Sequence, residues 1–402
     1  MSIGNNMITA IDIGTNLIKG LSVAYNHETS NFEVMAKVIQ PVSGVRKGVV
    51  SNVEETSKAI TECIKNIEIQ TNSRIDGVYA NLNGSHIVSS SSRGQVAVSR
   101  ADQKISSEDI DRVIAAAKIF PISRNREIVD AFPREFIIDG VGGIRDPLDM
   151  QGIRFEADVM IVEVFSQYIK NTTQAILDSN VRVNDLIPGV LSSAQSVLEP
   201  NEKERGVAIL DIGAGTTSLA VFEENTLLHI AIFPIGSNNI TNDIAIGLKC
   251  DIDTAEKIKI EFGSAINSKG DTKKEKAISQ EGEEIIFTKT ALRRIINARV
   301  CEIFEVVNEE LKKISKDRLL PAGVVLTGGG SSLPGISDLA RKELKLPARV
   351  GFAKRFNPLI DDPRFSVVCG LAMIGYEIEE EEEGSWSKAK RKINNFFKSL
   401  IP

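Results

Sequence analysis

The sequence predicts an α/β fold with two lobes, and this prediction depends on a strand–turn–strand pattern that occurs twice. Residues 207–222 form an apolar run, a turn of small residues and a second apolar run, which is typical of a β-hairpin. Residues 7–25 repeat that order, so that Asp12 corresponds to Asp211, with loops that differ by about one residue. A chain of 402 residues also exceeds the usual size of a single hydrophobic core, so we expect one hairpin in each lobe.

Both turns carry the groups that bind a phosphate and its metal ion. Gly213 and Gly215 allow positive φ and a close approach of the backbone to a ligand, and Gly14 corresponds to Gly213 in the first hairpin; consecutive N–H groups can surround an anion. A carboxylate at the end of a strand can hold hydrated Mg²⁺, which is the role we expect for Asp12 and Asp211. Lys19, on the returning strand, would reach phosphate oxygens, although a solvated strand lysine has the same pattern.

A third motif follows later in the chain, where an apolar strand over 324–327 leads into a glycine turn and then a helix-like stretch. The turn consists of Gly328, Gly329, Gly330 and Ser331. Bare backbone at such a turn lets a nucleoside lie directly against it. The three motifs, in this order, resemble those of the actin, Hsp70 and sugar-kinase ATPases. The resemblance implies a two-lobed actin-like ATPase fold of duplicated ribonuclease-H-like domains, with a nucleotide between the lobes.

Composition excludes several other classes of protein. The net charge of −6 leaves no domain-wide basic surface, so we expect no nucleic-acid partner. The four cysteines are scattered without a CxxC pair, as expected for a reducing cytoplasm and for a chain without a zinc site. The first residues lack the pattern of a signal peptide, and no window is apolar enough to cross a bilayer.

Changes in composition and residue pattern along the chain predict its domain boundaries. Residues 84–162 have the pattern of a small α+β insert without phosphate motifs, which we interpret as an interaction module; a stabilising insertion without a partner is the alternative. Residues 367–372, which include glycine and alanine, suit a helix that crosses closely against a partner between the lobes. The remaining ranges are 1–83 and 163–197 (first-lobe core), 198–242 and 314–376 (second-lobe core), 243–313 (small subdomain, with a polar loop over 267–284), 377–385 (acidic linker) and 386–402 (terminal helix).

Three polar residues outside the turns are further candidates for the site. Gln195, on a predicted helix over 190–198, would lie between the lobes and orient an attacking water; a helix packing contact is the alternative. Glu256 and Lys259 lie one turn apart on one helix face and would meet the base or ribose of a nucleotide. As a plain surface pair they would contribute only about a few tenths of a kcal/mol.

The C-terminal segment predicts a membrane anchor. Glutamates dominate residues 377–383, which we expect to be solvated and extended. Residues 386–402 place large apolar side chains on one helical face and basic residues on the rest, as in a helix that lies in an anionic membrane surface. The residues expected at the membrane are Trp386, Lys390, Arg391, Ile393, Phe396, Phe397, Leu400 and Ile401. One copy would bind weakly, whereas several copies in an oligomer would bind far more tightly.

The chain as a whole resembles the FtsA family, the actin-like proteins of bacterial cell division. The likeness covers nearly the whole length and includes the insert, the run over 235–248, the AEKIK segment and the terminal amphipathic helix. It implies an ATP-binding protein that polymerises into filaments on the cytoplasmic side of the cell membrane, at the division septum, and holds the tubulin-like protein FtsZ there. The C-terminal peptide of FtsZ would bind the small subdomain near Arg294 and Arg299, and other division proteins would bind the insert.

The same resemblance implies which residues contact ATP and Mg²⁺ besides Lys19. They are Gly14, Thr15, Asn16, Gly213, Ala214, Gly215, Thr216, Thr217, Gly236, Glu256, Lys259, Gly328, Gly329, Gly330 and Ser331. The chain departs from the family at Leu17, where lysine is common, although Lys19 lies on the same face of the strand. Ala214 stands where glycine is usual and Ser218 where aspartate is usual, so we expect at most slow ATP hydrolysis.

Two alternatives share the nucleotide fold. A PilM-like cytoplasmic adaptor of pilus assembly would have an insert but would lack the amphipathic tail. A small-molecule kinase of the same superfamily would need a general base in the cleft, and the sequence offers no suitable acid beyond Asp12 and Asp211.

Overall fold

The structure of the protein is a computed structural model that describes residues 7–119, 121–266, 274–279, 282–356 and 360–383. The predicted amphipathic helix over 386–402, with all of the residues expected at the membrane, lies outside these ranges. Within them, no helix combines the length and the apolar character needed to cross a membrane.

The first lobe begins with three antiparallel strands and a crossover helix. Its elements are β1 (Met7–Ile13), β2 (Leu17–Asn26), β3 (Asn31–Pro41), the short hairpin β4 (Val45–Arg46) and β5 (Val49–Val50), α1 (Val53–Thr71) and β6 (Gly77–Leu82). α1 begins where the Asn52 side chain accepts a hydrogen bond from the Glu55 backbone N–H, which caps the helix. The crossover brings β6 beside β1 as a parallel neighbour, so β1 lies inside the sheet and is almost entirely buried.

The insert forms its own four-stranded antiparallel sheet, in the order β7-β10-β8-β9, with one helix packed against it. Its elements are β7 (Val88–Ala97), α2 (Ser107–Ala117), β8 (Arg126–Ile138), β9 (Val141–Ile144) and β10 (Arg154–Phe165). Phe136 and Phe155 stack in a small core between this sheet and α2. The other face of the insert contacts the second lobe, where Phe132 and Met160 share a cluster with Ile230.

The chain then completes the first sheet and enters the second lobe. The elements are α3 (Ser166–Leu177), β11 (Arg182–Pro188), α4 (Gly189–Val197), α5 (Pro200–Arg205), β12 (Val207–Ile212), β13 (Thr217–Glu223) and β14 (Thr226–Phe233). The order of the first sheet is β3-β2-β1-β6-β11. Its first three strands are antiparallel, whereas β6 and β11 run parallel to β1.

The second lobe repeats this arrangement. Its remaining elements are α6 (Ser237–Leu248), α7 (Ile252–Phe262), β15 (Lys274–Ile278), β16 (Glu284–Thr288), α8 (Lys289–Lys313), β17 (Gly323–Thr327), α9 (Ile336–Leu344), β18 (Ala348–Val350) and α10 (Ser366–Glu383). The second sheet has the order β14-β13-β12-β17-β18, which matches the first sheet strand for strand. The predicted two-lobed fold with a duplicated core and an insert is therefore confirmed.

Two helices, α4 and α10, lie between the sheets and hold the lobes together. α4 packs on the second sheet through Leu191 and Ala194, whereas α10 packs on the first sheet through Val368 and Leu371. The helices cross so closely that a Cβ on Gly370 would lie 1.7 Å from the carbonyl oxygen of Ser192. This confirms the predicted close crossing.

Three expectations about the C-terminal half are wrong. The segment after β18, including α10, packs on the first lobe, so the second-lobe core does not extend to residue 376. The acidic run is not extended, because α10 continues through Glu383, with the Glu379 side chain accepting a hydrogen bond from the Tyr79 hydroxyl. The polar loop over 267–284 contains β15, which pairs with β16 in a hairpin. Glutamate and lysine favour solvated surfaces, but such surfaces include helices and hairpins that the core supports from one side.

Candidate functional site

The two predicted hairpins have the same backbone register. β1 and β2 place Asp12 opposite Lys19, and β12 and β13 place Asp211 opposite Ser218. Opposite residues in an antiparallel pair have neighbouring side chains on one face of the sheet. The side chain of Asp12 therefore lies beside that of Lys19, whereas the side chain of Asp211 lies beside that of Ser218.

The two turns also have the same length. Each is closed by one backbone hydrogen bond, from Gly14 N to Leu17 O at 3.1 Å and from Gly213 N to Thr216 O at 2.8 Å. The expected difference of one residue between the loops is wrong, because in both hairpins the turn takes up four residues between the last paired positions.

The turns meet across the interface between the lobes. A Cβ on Gly215 would lie 2.6 Å from the hydroxyl oxygen of Thr15, so a larger residue here would have to displace the Thr15 side chain. Beside it, the side-chain amides of Asn16 and Asn238 exchange two hydrogen bonds of 2.9 Å. A cavity of about 650 Å³ lies behind this contact, which is within the range of small-molecule sites.

Most of the residues predicted from the sequence line this cavity. They are Asp12, Gly14, Thr15, Asn16, Lys19, Asp211, Gly213, Ala214, Thr216, Glu256, Lys259, Gly328, Gly329 and Gly330. The fold thus brings together two hairpin turns, one face of α7 and the glycine turn after β17, which are far apart in the sequence.

Four predicted residues support the wall without lining it: Gly215, Thr217, Gly236 and Ser331. The Thr217 hydroxyl donates to the Ile235 carbonyl at 2.8 Å, and the Ser331 hydroxyl donates to the Gly328 carbonyl at 2.7 Å. A Cβ on Gly236 would collide with backbone carbonyls of the second turn. These residues fix the backbone of the turns, and the two hydroxyl groups are already hydrogen-bonded there.

Gln195 does not border the cavity, contrary to the expectation from the sequence. Its amide nitrogen donates to the Glu377 carboxylate at 3.1 Å, and its amide oxygen accepts from the Lys203 ammonium at 3.3 Å. Burial lowers the pKa of Lys203 to about 8, and the negative charge of Glu377 opposes that shift. Gln195 therefore belongs to a polar contact between α4, α5 and the end of α10, and we leave it out of the proposed site.

The two acids of the site have different electrostatic surroundings. The Lys19 ammonium lies 2.5 Å from one Asp12 oxygen, and the Asn81 amide donates to the other at 2.8 Å. For Asp211, burial and the negative charge of Asp12 raise the pKa to about 7, against the influence of Lys19. The carboxylate of Asp211 therefore gains most from a cation placed beside it.

The two acids line one cavity, and the negative charge of Asp12 contributes to the raised pKa of Asp211, so a divalent ion beside them would relieve their repulsion. Mg²⁺ in nucleotide sites usually keeps several waters and binds one or two carboxylates together with phosphate oxygens. Asp12 and Asp211 offer that partial set of ligands. Among the described residues, no group of three or more His, Cys, Asp and Glu side chains could hold a metal ion by protein ligands alone.

The α7 face forms a compact polar network on the cavity wall. The Lys259 ammonium contacts the Glu256 carboxylate at 2.7 Å and donates to the Thr241 hydroxyl at 2.8 Å. The Thr241 hydroxyl in turn donates to Glu256 at 2.5 Å. Glu256 and Lys259 thus present a fixed acceptor and a fixed cation, which suits hydroxyl and phosphate groups.

The glycine turn after β17 lies directly against the second acid. Gly328 has φ of +79°, and a Cβ there would lie 2.1 Å from an Asp211 carboxylate oxygen. The backbone N–H of Gly328 donates to the Pro363 carbonyl at 3.1 Å, which joins the turn to the segment that enters α10. Glycine is required here both by the backbone conformation and by the contact.

Sequence reasoning missed several residues that line the cavity or hold its acids. Asn81 is a buried amide in an otherwise apolar strand, and such a polar residue in a buried run was a usable signal. Asn238 follows Gly236 at the start of α6, where turn residues mask its role. Arg364 and Asp362 lie in an Asp-Pro-Arg turn that reads simply as the start of a helix.

The residues predicted to bind a partner peptide lie on α8, away from the cavity. Arg299 forms two hydrogen bonds with Asp243, of 2.6 and 2.9 Å, and contacts Glu302 at 2.6 Å. Arg294 is exposed. Arg299 therefore ties α8 to α6, and Arg294 is the more accessible of the two.

Comparison with protein families identifies relatives of the chain. Residues 208–370 match the family model described as cell division protein FtsA, and residues 84–163 match the SHS2 domain inserted in FTSA. The chain is 33% identical over 381 residues to the cell division protein FtsA of Pseudomonas aeruginosa, covering 93% of this chain and 90% of that protein. It is 33% identical over 396 residues to that of Borreliella burgdorferi, covering 96% and 95%.

Solved structures with similar folds include a PilM-PilN type IV pilus biogenesis complex, with a TM-score of 0.66 at 18% identity, covering 92% of this chain and 98% of that chain. MreB5 of Spiroplasma citri bound to ADP matches with a TM-score of 0.57 at 14% identity, covering 95% and 99%. At such identities the likeness shows the fold alone.

Proposed function

Because the chain belongs to the FtsA family of cell division proteins, we propose that it binds ATP with Mg²⁺, polymerises on the cytoplasmic side of the cell membrane and holds FtsZ at the division septum. The observation that carries the nucleotide part is the meeting of two equivalent hairpin turns at one cavity of about 650 Å³. Phosphates would lie between the turns, where residues of both turns and Lys19 line the cavity, with Mg²⁺ near Asp12 and Asp211.

Turnover of ATP is proposed to be slow. Ser218 occupies the position opposite Asp211 and supplies no second carboxylate there. Gln195 is bonded outside the cavity, so it does not orient a water. Binding and polymerisation therefore depend on the occupied cleft rather than on rapid hydrolysis.

The membrane part depends on residues 386–402, whose composition suits a surface-bound helix. The test is electron microscopy on anionic lipid monolayers, with and without ATP, together with liposome flotation. The full chain should form filaments on lipid with ATP and float with the liposomes, whereas a chain ending at Glu383 should do neither. Equal flotation of the two proteins would contradict the proposed anchor.

The FtsZ part is tested on α8. Arg294→Glu should weaken binding of a labelled peptide from the FtsZ C-terminus about tenfold or more, because it reverses an exposed charge expected to meet an acidic group. Lys313→Glu is the matched control, since Lys313 is an exposed basic residue near the other end of the same helix. Equal effects of the two substitutions would mean that the peptide senses net charge and does not bind near Arg294.

A further inference from the structure

Arg364 borders the cavity beside the glycine turn. Carbon atoms of its side-chain stem lie 3.5 and 3.8 Å from where a Cβ of Gly329 would be, so the stem lies against bare backbone. The hairpin motifs do not account for a cation at this place, because their lysine, Lys19, lies beside Asp12 of the first hairpin.

The orientation of the Arg364 guanidinium is fixed by Asp362. Its Nε lies 3.0 and 2.9 Å from the two Asp362 carboxylate oxygens, and a terminal nitrogen lies 2.7 Å from one of them. The Arg364 backbone N–H donates to the same carboxylate at 2.9 Å, which caps the turn Pro363–Phe365. Two-point contact of this kind fixes the plane of the guanidinium as well as its position.

The cavity around this plane is partly apolar. Leu333 and Pro334, which follow the glycine turn, line it, and so does Ile260 of α7. Ile260 is 74% exposed, so its side chain is accessible to a ligand in the cavity. Apolar side chains and the bare backbone of Gly329 therefore line the same cavity, and both are surfaces against which a flat aromatic ligand can lie.

We propose that the Arg364 guanidinium stacks on the face of the nucleobase, with Asp362 as the residue that positions it. The inference rests on the proposed nucleotide site and adds the group that holds the base. A guanidinium is planar, weakly hydrated and attracted to the face of an aromatic ring. Stacking depends on the ring face that all bases share, so this contact favours a nucleoside over a bare polyphosphate without selecting among purines.

The test measures dissociation constants by calorimetry, in the presence of Mg²⁺, for ATP, GTP and inorganic tripolyphosphate. Arg364→Ala should weaken ATP and GTP by the same factor, about tenfold, and leave tripolyphosphate unchanged. Arg364→Lys keeps the charge without the plane and should stay close to the alanine variant. Thermal unfolding of each variant checks that the fold is intact, which is expected because the side chain is 45% exposed.

Asp362→Asn tests the positioning role. It should weaken ATP about threefold when Arg364 is present and have no effect in the Arg364→Ala background, because it acts through the arginine. An equal effect of Asp362→Asn in both backgrounds would overturn that role.

The remaining outcomes separate this inference from the proposed function. Unchanged ATP affinity in Arg364→Ala would overturn the stacking while leaving the nucleotide site in place. An equal loss for tripolyphosphate would also overturn it, since the arginine would then bind phosphate. A loss confined to ATP would overturn it too, since the arginine would then recognise the base edge. Absence of ATP binding by the unaltered full chain would overturn the proposed function itself.

Discussion

The two hairpins that face the cleft have one backbone and two different charge patterns. Asp12 and Asp211 occupy equivalent positions, and both turns are closed by the same type of hydrogen bond. The partner opposite the acid differs, because it is Lys19 in one hairpin and Ser218 in the other. The two hairpins thus share one backbone arrangement, and the residue at a single cross-strand position gives them different charges.

The difference suggests a division of labour between the lobes. The first hairpin has an acid that a lysine already neutralises, so the lysine's remaining hydrogens can serve a phosphate. The second hairpin has a partly buried acid without a facing cation on its own strand pair, and burial and the charge of Asp12 raise its pKa, which favours an incoming metal ion. Four experiments, ordered by expected size, test this comparison.

The largest effect is expected for the pH dependence of stability in EDTA, without nucleotide. Burial raises the pKa of Asp211 from its ordinary value of 3.8 to about 7 in the folded protein. Between these values the folded state binds more protons than the unfolded state, so the free energy of unfolding should fall as pH rises from 4 to 7, by up to about 4 kcal/mol.

Asp211→Asn should abolish that loss, so that the variant is more stable than the unaltered protein at pH 8 but not at pH 4. Denaturant titrations at both pH values provide the measurement. Asp12→Asn is the matched control and should destabilise instead, because it leaves the Lys19 ammonium without its partner. If the free energy of unfolding changed with pH in the same way in the protein and in its Asp211→Asn variant, Asp211 would not have the raised pKa that distinguishes the second hairpin from the first.

Removing the lysine of the first hairpin should have the next largest effect, on nucleotide affinity. Lys19→Ala should weaken ATP binding about a hundredfold, since a charged hydrogen bond to phosphate is lost and the Asp12 carboxylate then repels the ligand. Calorimetry with Mg·ATP measures this, and Lys58→Ala, at an exposed lysine on α1, is the control. An unchanged affinity would show that Lys19 serves the fold alone.

Making the hairpins alike is the third test. Ser218→Lys places an ammonium beside Asp211 as Lys19 lies beside Asp12, so the carboxylate should no longer favour Mg²⁺. The factor by which Mg²⁺ strengthens ATP binding should fall about tenfold. Ser218→Ala, which removes the hydroxyl without adding charge, should keep that factor, and a similar loss in both variants would rule out the electrostatic reason.

The smallest effect is expected where the lobes touch. Asn16 and Asn238 form a reciprocal amide pair, so alanine at either position should remove the same two hydrogen bonds. A double-mutant cycle on the free energy of unfolding should therefore give a coupling of about 0.5–1 kcal/mol. Additive single effects would mean that the pair does not hold the turns together in solution.

Local sequence patterns were enough to predict the hairpins, the glycine turn and the insert, because the residues that determine each element are close together in the chain. Alternating apolar residues and glycine positions fix a strand and a turn locally. The side of a helix that faces a ligand is not local in this sense. Gln195 was expected in the cleft because its helix lies between the lobes, yet Glu377 and Lys203 on neighbouring helices hold it elsewhere.

The sequence also did not indicate on which lobe α10 packs. Residues 366–374 are apolar or small on every side, so the sequence indicates burial but not which sheet provides the partner. Arg364 escaped notice for a similar reason, because its place beside Gly329 depends on a contact between distant segments. Charge and periodicity in the sequence indicate whether a residue is buried or exposed, whereas the residues it contacts are determined by the tertiary fold.

The attachment of α10 has a mechanical consequence for the end of the chain. The helix starts at Ser366 beside the cleft and extends for about 27 Å, at 1.5 Å per residue, to Glu383. Since Gly370 is locked under Ser192 and the helix lies on the first sheet, a force applied beyond Glu383 is transmitted into the first lobe. Tension on the C-terminus would therefore act on the first lobe, and the second lobe would follow through the contact between α4 and α10.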